Sequence, residues 1–546
     1  MDLHVVAPLA SPAERDAVDA VLSPLIGPPA SGWHGGVRDS KADGHIARGG
    51  HEARSHRDLL IPALHGIQSR IGYISQPALA YVCRRLSVPP AEAYGVATFY
   101  ALFATTPRPP LVAHVCDDIA CRLAGAEDVC SDLERSLGPA GQPTRDGRAT
   151  WLRSPCLGQC ERAPAALFTS AGESPTSFAV APIDAAGIVA RFDTPRIEAT
   201  GPSAAAGPSA ASTPTPSPDG RLAAARRSVP QAGDDGLRIL ARIGRVDPLS
   251  LDDYRRHGGY EALARAIALG PERVIGEVTE AKLVGRGGAA FPTGRKWAAV
   301  AAQATRPHYL VCNADESEPG TFKDRALLED DPFAILEAMT IAGLATGAER
   351  GYLYIRGEYP LAEARVTGAI GAARAAGLLG PDVLGSGMTF DIEIRRGAGA
   401  YICGEETALF ESIEGKRGEP RNKPPFPVEV GLFGKPTTVN NVETLANIPA
   451  IVLEGGAAFA AIGTEGSTGP KLFCVSGNVQ RPGIYEVPFG ATLRELLELG
   501  GGVREERSIQ AILLGGAAGV FVGPEALDTP LTFEGTREIG ATPFLP

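Results

Sequence analysis

At 546 residues the chain is too long for one ordinary core, and roughly 150 residues per domain points to three or four domains. Its composition, 44% hydrophobic and 21% charged, is that of a soluble globular protein. A formal net charge of −11 excludes a dedicated nucleic-acid binder, which needs clustered Lys and Arg. Small phosphates are not excluded, because glycine loops hold them through backbone N–H groups. No apolar run is long enough to cross a bilayer; Ala511 to Val522 is short and interrupted by glycine. The opening MDLHVVAPLASPAERD lacks a basic region followed by an apolar core, so the expected location is the cytoplasm.

In chain order, residues 1–55 are rich in Gly, His, Ala and Pro without sustained periodicity and read as a flexible extension. From 56 to 107 the pattern predicts a helical bundle: Leu59, Leu60, Leu64 and Ile67, then Leu79, Val82 and Leu86, with Ser75 as an N-cap before Pro77. Over 108–195 short apolar runs (LVAHVC, AALFTS, SFAVAP) alternate with helical stretches such as AEDVCSDLERSL, the pattern of a small α/β domain. Residues 196–234 read as an Ala/Pro/Ser linker, with GPSAAAGPSAASTPTPSPD at its centre. A second α/β region covers 235–445 and is dense in glycine between Gly285 and Gly434. In the last segment, 446–546, KLFCVSGNVQRPGIYEVP reads as two strands about a turn and ATLRELLELGGG as a helix, a β-grasp-like module. The fold class is therefore α/β multidomain.

Nine cysteines without a secretory signal make a poor disulfide framework, but four of them cluster. Cys116 and Cys121 form C-x4-C after the strand-like LVAHV, and Cys156 and Cys160 form C-x3-C in SPCLGQCERAP. Four thiolates on two loops can hold a [2Fe–2S] centre. Zinc is the rival, although zinc ribbons favour C-x2-C knuckles; four buried free thiols are the plainest alternative.

Four further segments carry binding chemistry. LVGRGGAAFPTGRKW places Gly285, Arg286, Gly287, Gly288 and Gly294 in ten residues, with Phe291 as a stacking face and Lys296 as a point charge. CNADESEPGTFKDR follows a strand-like run and offers Asp315, Glu316 and Glu318 for ribose hydroxyls, or for capping its own loop. In RRGAGAYICGEETAL, Gly397, Gly399 and Gly404 precede a helix opening at Glu405 and Glu406, two adjacent carboxylates that need a partner. In KPTTVNNVETLAN, Asn440 and Asn441 can donate and accept at a flavin edge.

On HRDLLIPALHGIQSRIGYIS, YGVATFYALF and the two cysteine pairs, residues 56–195 resemble the thioredoxin-like [2Fe–2S] subunit of respiratory complex I. That resemblance implies Cys116, Cys121, Cys156 and Cys160 as cluster ligands. On GRGGAAFPTG, ESEPGTFKDR and GAGAYICGEETAL, residues 235–535 resemble the NADH-oxidising flavoprotein subunit of complex I and its relatives in NAD-dependent formate dehydrogenases and NAD-linked hydrogenases. It implies FMN held by Gly285, Gly287, Lys296, Asn313, Asp315, Tyr401, Gly404, Glu405, Asn440 and Asn441. NAD(H) would lie over the flavin, with Phe291 and Phe426 about the adenine and Glu318, Glu405 and Glu406 as polar contacts. Ala299 stands near a position where the family has an aromatic residue.

The implied chemistry is hydride exchange between NAD(H) and FMN, then one-electron steps to iron–sulfur clusters, with no side chain singled out as catalytic. Fusion of both parts in one chain resembles the beta subunit of a soluble NAD-dependent formate dehydrogenase. The expected partner is the catalytic subunit of that enzyme, or of a hydrogenase, in a hetero-oligomer. A complex I module is a further reading, and a non-catalytic binding or assembly protein is an alternative of another class. The family's C-terminal [4Fe–4S] domain is expected to be missing by truncation, since Cys474 is the last cysteine.

Overall fold

The structure, a computed structural model, describes residues 8–27, 56–193 and 217–541. Its first element corrects the expectation of an irregular extension over 1–55. Pro12–Ile26 is a helix, opened by a capping box in which Ser11 Oγ accepts from Glu14 N (3.3 Å) and Ser11 N donates to Glu14 Oε2 (2.7 Å). Val18 and Leu22 are fully buried in the core of the helical module. The rest of that stretch lies outside the described residues. Helices Leu60–Ile71, Gln76–Leu86 and Pro90–Phe99 follow, and Ser75 caps the second through Ala78 N (3.1 Å), as its position before Pro77 predicts.

The thioredoxin-like domain is a four-stranded sheet in the order β2–β1–β3–β4. Strand β1 (Leu111–Cys116) runs parallel to β2 (Ala149–Ser154) and antiparallel to β3 (Ala166–Ser170), which pairs antiparallel with β4 (Thr176–Val180). Ala113 and Val115 join Leu133, Trp151, Phe168 and Ile188 in the domain core. The strand's period of two sends His114 and Cys116 to the opposite face.

The second α/β region, the FMN region of the resemblance, is built on a wholly parallel sheet, β7–β6–β5–β8, with β5 at His308–Ala314, β6 at Ala348–Ile355, β7 at Asp391–Arg396 and β8 at Thr437–Asn441. The helix Pro332–Thr346 is buried along almost its whole length, which is why it reads as continuously apolar rather than amphipathic. Open parallel sheets bind ligands beyond the carboxyl ends of their strands. Here that edge carries Asp315 to Glu318 after β5, Arg356 to Tyr359 after β6, Gly397 to Glu405 after β7, and Asn441 ending β8.

Two boundaries move. Residues 194–216 of the expected linker lie outside the described residues, but 217–234 are packed structure: Pro218–Ala225 is a helix, and Ala225, Val229 and Ala232 are buried in the FMN-region core. Leu222, Ala225 and Val229, spaced by three and four, give that segment an apolar side despite its Ala/Pro/Ser neighbourhood. Residues 446–460 likewise belong to the FMN region, because Ile448, Ile451, Val452 and Phe459 bury in the same core. The β-grasp module starts at β9 (Pro470–Val475), paired antiparallel with β10 (Gly483–Pro488); β11 (Ile512–Leu514) and β12 (Val520–Val522) form a second ribbon. Glu486 ties this module down by accepting from the backbone of Arg238, Ile239 and Leu240 (2.7, 3.0 and 2.9 Å). Among the described residues no helix is long and apolar enough to cross a membrane.

Candidate functional site

A cavity of about 310 Å3 opens at the carboxyl edge of the parallel sheet. The glycine loop contributes Arg286, Gly287 and Gly288; β5 and its loop contribute Asn313, Asp315, Glu316 and Glu318. Tyr401, Gly404 and Glu405 come from the segment after β7, and Asn441 from the end of β8. A Cβ on Gly287 would stand 3.1 Å from Asn441 Cβ, so only glycine leaves that wall flat. Asn313 Nδ2 donates to Gly404 O (2.8 Å), fastening the β5 end to the loop after β7. Burial raises the Asp315 carboxyl to about 7, against an opposing pull from Arg356.

Sequence reasoning missed the ammonium group of this cavity. Lys323, 2% exposed, reaches Asp324 Oδ1 (2.9 Å), Glu443 Oε2 (3.2 Å) and Asn441 Oδ1 (3.4 Å). It lies in the segment ESEPGTFKDR, where nothing in spacing distinguishes it from a surface lysine. The expected point charge, Lys296, and the other cation of the glycine loop, Arg286, do other work. Arg286 turns its guanidinium over the Phe489 ring (4.6 Å) and donates to Thr468 O (2.7 Å), and burial lowers its pKa to about 10. Lys296 donates to Val439 O (3.0 Å), and burial lowers its pKa too.

Other predicted contacts are scaffold rather than lining. Gly294 lets its helix approach the helix Pro271–Glu280, since a Cβ there would meet Thr279 Cα at 2.9 Å. Gly399 packs on Leu102 of the helical module and accepts from Ala101 N (2.9 Å). Asn440 accepts from Trp297 Nε1 (3.0 Å) and is 4% exposed. Glu316 touches the cavity but spends its oxygens on Asp324 N (2.9 Å) and Arg325 N (3.1 Å), capping the helix Lys323–Asp330. Gly285 N donates to Phe291 O (3.0 Å), closing the glycine loop outside the lining. Phe291 and Phe426 are 43% and 53% exposed and also stand outside it. The partner that Glu405 and Glu406 needed is Lys423 (3.0 and 2.7 Å). Glu318 accepts from Tyr401 Oη and from Ala517 N, so the β11–β12 turn reaches over the cavity mouth.

The four predicted cysteines come together. Cys116 ends β1, Cys121 lies in the short helix Ile119–Leu123, and Cys156 and Cys160 follow β2; their exposures are 1, 2, 3 and 5%. Cys156 Sγ and Cys160 Sγ are 3.4 Å apart, and the neighbouring Cys121 and Cys156 thiols, with burial, push the Cys116 thiol up. Hydrogen bonds from Cys116 and Cys160 hold the Cys156 thiol well below its ordinary pKa, with Arg356 adding to the effect. Among the described residues no three His, Cys, Asp or Glu groups are gathered in the manner of a single-ion site. Four buried thiols on two adjoining loops have the donor chemistry of a [2Fe–2S] cluster.

The cysteine loop sits directly on the FMN region. Arg356, 3% exposed, donates through Nη2 to Cys156 O (2.6 Å) and through Nη1 to Glu316 O, with Glu358 Oε1 at 3.0 Å as counter-charge. Arg325 donates to Gly158 O (2.8 Å) and pairs with Glu161 (2.6 Å) and Glu329 (2.8 Å). Ser228, from the segment expected to be linker, donates to the same Glu161 oxygen (2.7 Å).

Three family models match: a thioredoxin-like [2Fe–2S] ferredoxin over 46–173, the Nuo51 FMN-binding domain over 278–450 and an SLBB domain over 472–519. The chain is 50% identical over 300 residues to the NADP-reducing hydrogenase subunit HndC of Solidesulfovibrio fructosivorans, 55% of this chain and 61% of that one. Against the F subunit of NADH-quinone oxidoreductase from Aquifex aeolicus it is 51% identical over 296 residues, 54% of this chain and 69% of the relative. The crystal structure of an air-oxidised NAD+-reducing [NiFe]-hydrogenase aligns with a TM-score of 0.67 and 34% identity, covering 87% of this chain and 75% of that one. The chain thus spans less than two thirds of the length of HndC and about two thirds of the Aquifex protein. With that identity over that share, it belongs to the family of the F subunits of NADH-quinone oxidoreductase, in a form that fuses a thioredoxin-like [2Fe–2S] domain to the complex I 51 kDa-type FMN-binding domain.

Proposed function

We propose that this chain is a diaphorase subunit that exchanges hydride between NAD(H) and FMN and single electrons with a [2Fe–2S] cluster. The observation that carries the reading is the Arg356 bridge, which joins the cysteine loop to the cavity edge through one buried guanidinium. Gly287, Gly288 and Gly404 keep the cavity wall open to a flat ring, Lys323 supplies positive charge, and Asn441 and Asn313 supply amide hydrogen-bonding groups. FMN supplies the chemistry that converts a two-electron hydride into single electrons; the chain orients it and sets its surroundings. Cys116, Cys121, Cys156 and Cys160 would hold the cluster. Entry of the dinucleotide requires Glu318 to exchange Ala517 N and Tyr401 for ligand groups.

Within this reading, the alignment with an NAD+-reducing hydrogenase over 87% of the chain supports a soluble complex of that kind, with a separate catalytic subunit. A formate dehydrogenase catalytic subunit is the other partner the fused architecture suits; neighbouring genes for a nickel–iron or a molybdenum subunit discriminate the two. The test is anaerobic. Purified chain is loaded with FMN and mixed with NADH, and bleaching of the flavin absorbance is expected; an unchanged spectrum returns the chain to a binding or assembly role. Iron analysis should find about two irons per chain, and one zinc with no iron would overturn the cluster.

A further inference from the structure

A second cavity, of about 160 Å3, lies where the helical module, the thioredoxin-like domain and the FMN region meet. It shares no lining residue with the flavin cavity. Its wall carries two guanidinium groups, Arg108 and Arg396, two imidazoles, His65 and His114, and several hydroxyls, but no carboxylate.

These polar groups are short of partners. Arg108 donates through Nε to Gly72 O (3.0 Å) and forms no ion pair among the described residues, and burial lowers its pKa. Arg396 donates to Gly357 O (3.2 Å), and its Nε faces Glu363 Oε2 at 3.4 Å in an ion pair without hydrogen-bond geometry. The Ser177 hydroxyl is buried with no partner. His114, 4% exposed, makes no hydrogen bond through its ring among the described residues. The other carboxylate acting on this region, Glu358, pairs with Arg356 through Oε1 at 3.0 Å and keeps a buried Oε2 without a hydrogen bond.

Arg108 and Arg396 are both half-buried, and a guanidinium partly withdrawn from water favours a counter-charge close by. Water fills such a space at about 30 Å3 a molecule and satisfies hydroxyls and imidazoles, but it brings no counter-charge to Arg108. An anion with two or more oxygens does both, and it fits the planar donor fork of arginine. Arg108 belongs to the N-terminal half and Arg396 ends β7 of the FMN region, so one such ion would span the junction.

We propose that the junction cavity binds a small oxyanion, phosphate or a low-mass carboxylate, between Arg108 and Arg396, fastening the N-terminal half to the FMN region. Full-length chain is titrated with phosphate, acetate and chloride at matched ionic strength, reading thermal unfolding and calorimetry. One saturable site per chain is expected for phosphate or acetate and none for chloride, and the tighter of the two identifies the class. Arg108→Met should weaken that site at least tenfold. Ser177→Asp places a carboxylate in the cavity, and should raise the unfolding midpoint without added anion while abolishing the response to it. Equal responses to all three salts, or an undiminished oxyanion site in both variants, would overturn the proposal. The Ser177→Asp arm stands even if Arg108→Met does not fold.

Discussion

The flavin cavity and the cysteine loops were both nominated by short motifs, yet the structure treats them differently. All four nominated cysteines converge, buried and adjacent. Of the residues nominated for flavin and dinucleotide, several line the cavity, but Gly294, Asn440, Lys296 and the Arg286 guanidinium serve helix packing and the hydrogen bonds of the scaffold around it. A thiol cluster has one use for its residue type, so the motif and the role coincide. A lysine or asparagine in a binding motif has two uses, and its side-chain direction decides between them; for a glycine, the neighbour that its missing Cβ lets approach decides.

The largest effect expected tests the cysteine side. Cys156→Ser should reduce iron from about two per chain to a trace while FMN binding persists, measured by metal analysis and flavin absorbance. Next comes the joint between the two regions: Arg356→Met strands Glu358 and frees Cys156 O and Glu316 O, costing about 3–5 kcal/mol in denaturant unfolding, as removal of one member of a buried pair does. An unchanged midpoint would show that the cysteine loop docks without this guanidinium.

The cavity responds more gently. Gly287→Ala presses a methyl group towards Asn441 and should weaken FMN about tenfold, about 1.4 kcal/mol, by fluorescence titration. Asp315 gives a pH signature. Its folded carboxyl lies near 7 against an ordinary 3.8, so between those values the folded chain holds a proton that the unfolded chain has lost. Stability of the FMN-free chain should therefore fall as pH rises from about 4 to about 7, and Asp315→Asn should flatten that fall. Glu316, also raised to about 7 by burial, keeps its own contribution of the same sign. The smallest effect is expected at Lys423→Met, which removes partly exposed ion pairs to Glu405 and Glu406; stability should change by no more than about 1 kcal/mol.

Several features were legible because they depend on neighbours in sequence. Ser75 before Pro77 marked a helix start, LVAHVC a strand, and the alternation of apolar runs an α/β class. The helix Pro12–Ile26 was equally local: Ser11 and Glu14 spell a capping box, but the glycines and prolines around it masked the signal. Lys323 was not legible, since its burial comes from Glu443 and Asp324 meeting it across the fold.

By itself the sequence determined which chemical groups exist and at what spacing: two cysteine pairs, glycine loops at strand ends, and carboxylates opening a helix. Those follow from short-range backbone preferences and from the limited chemistry of thiols and glycine. Only the tertiary structure decided how the halves meet. The residues expected to form a loose tether include Ser228, which helps seat the cysteine loop, and Arg356 then links that loop to the flavin edge. That junction depends on desolvated charges finding partners far apart in the chain, a condition set by packing and invisible to spacing.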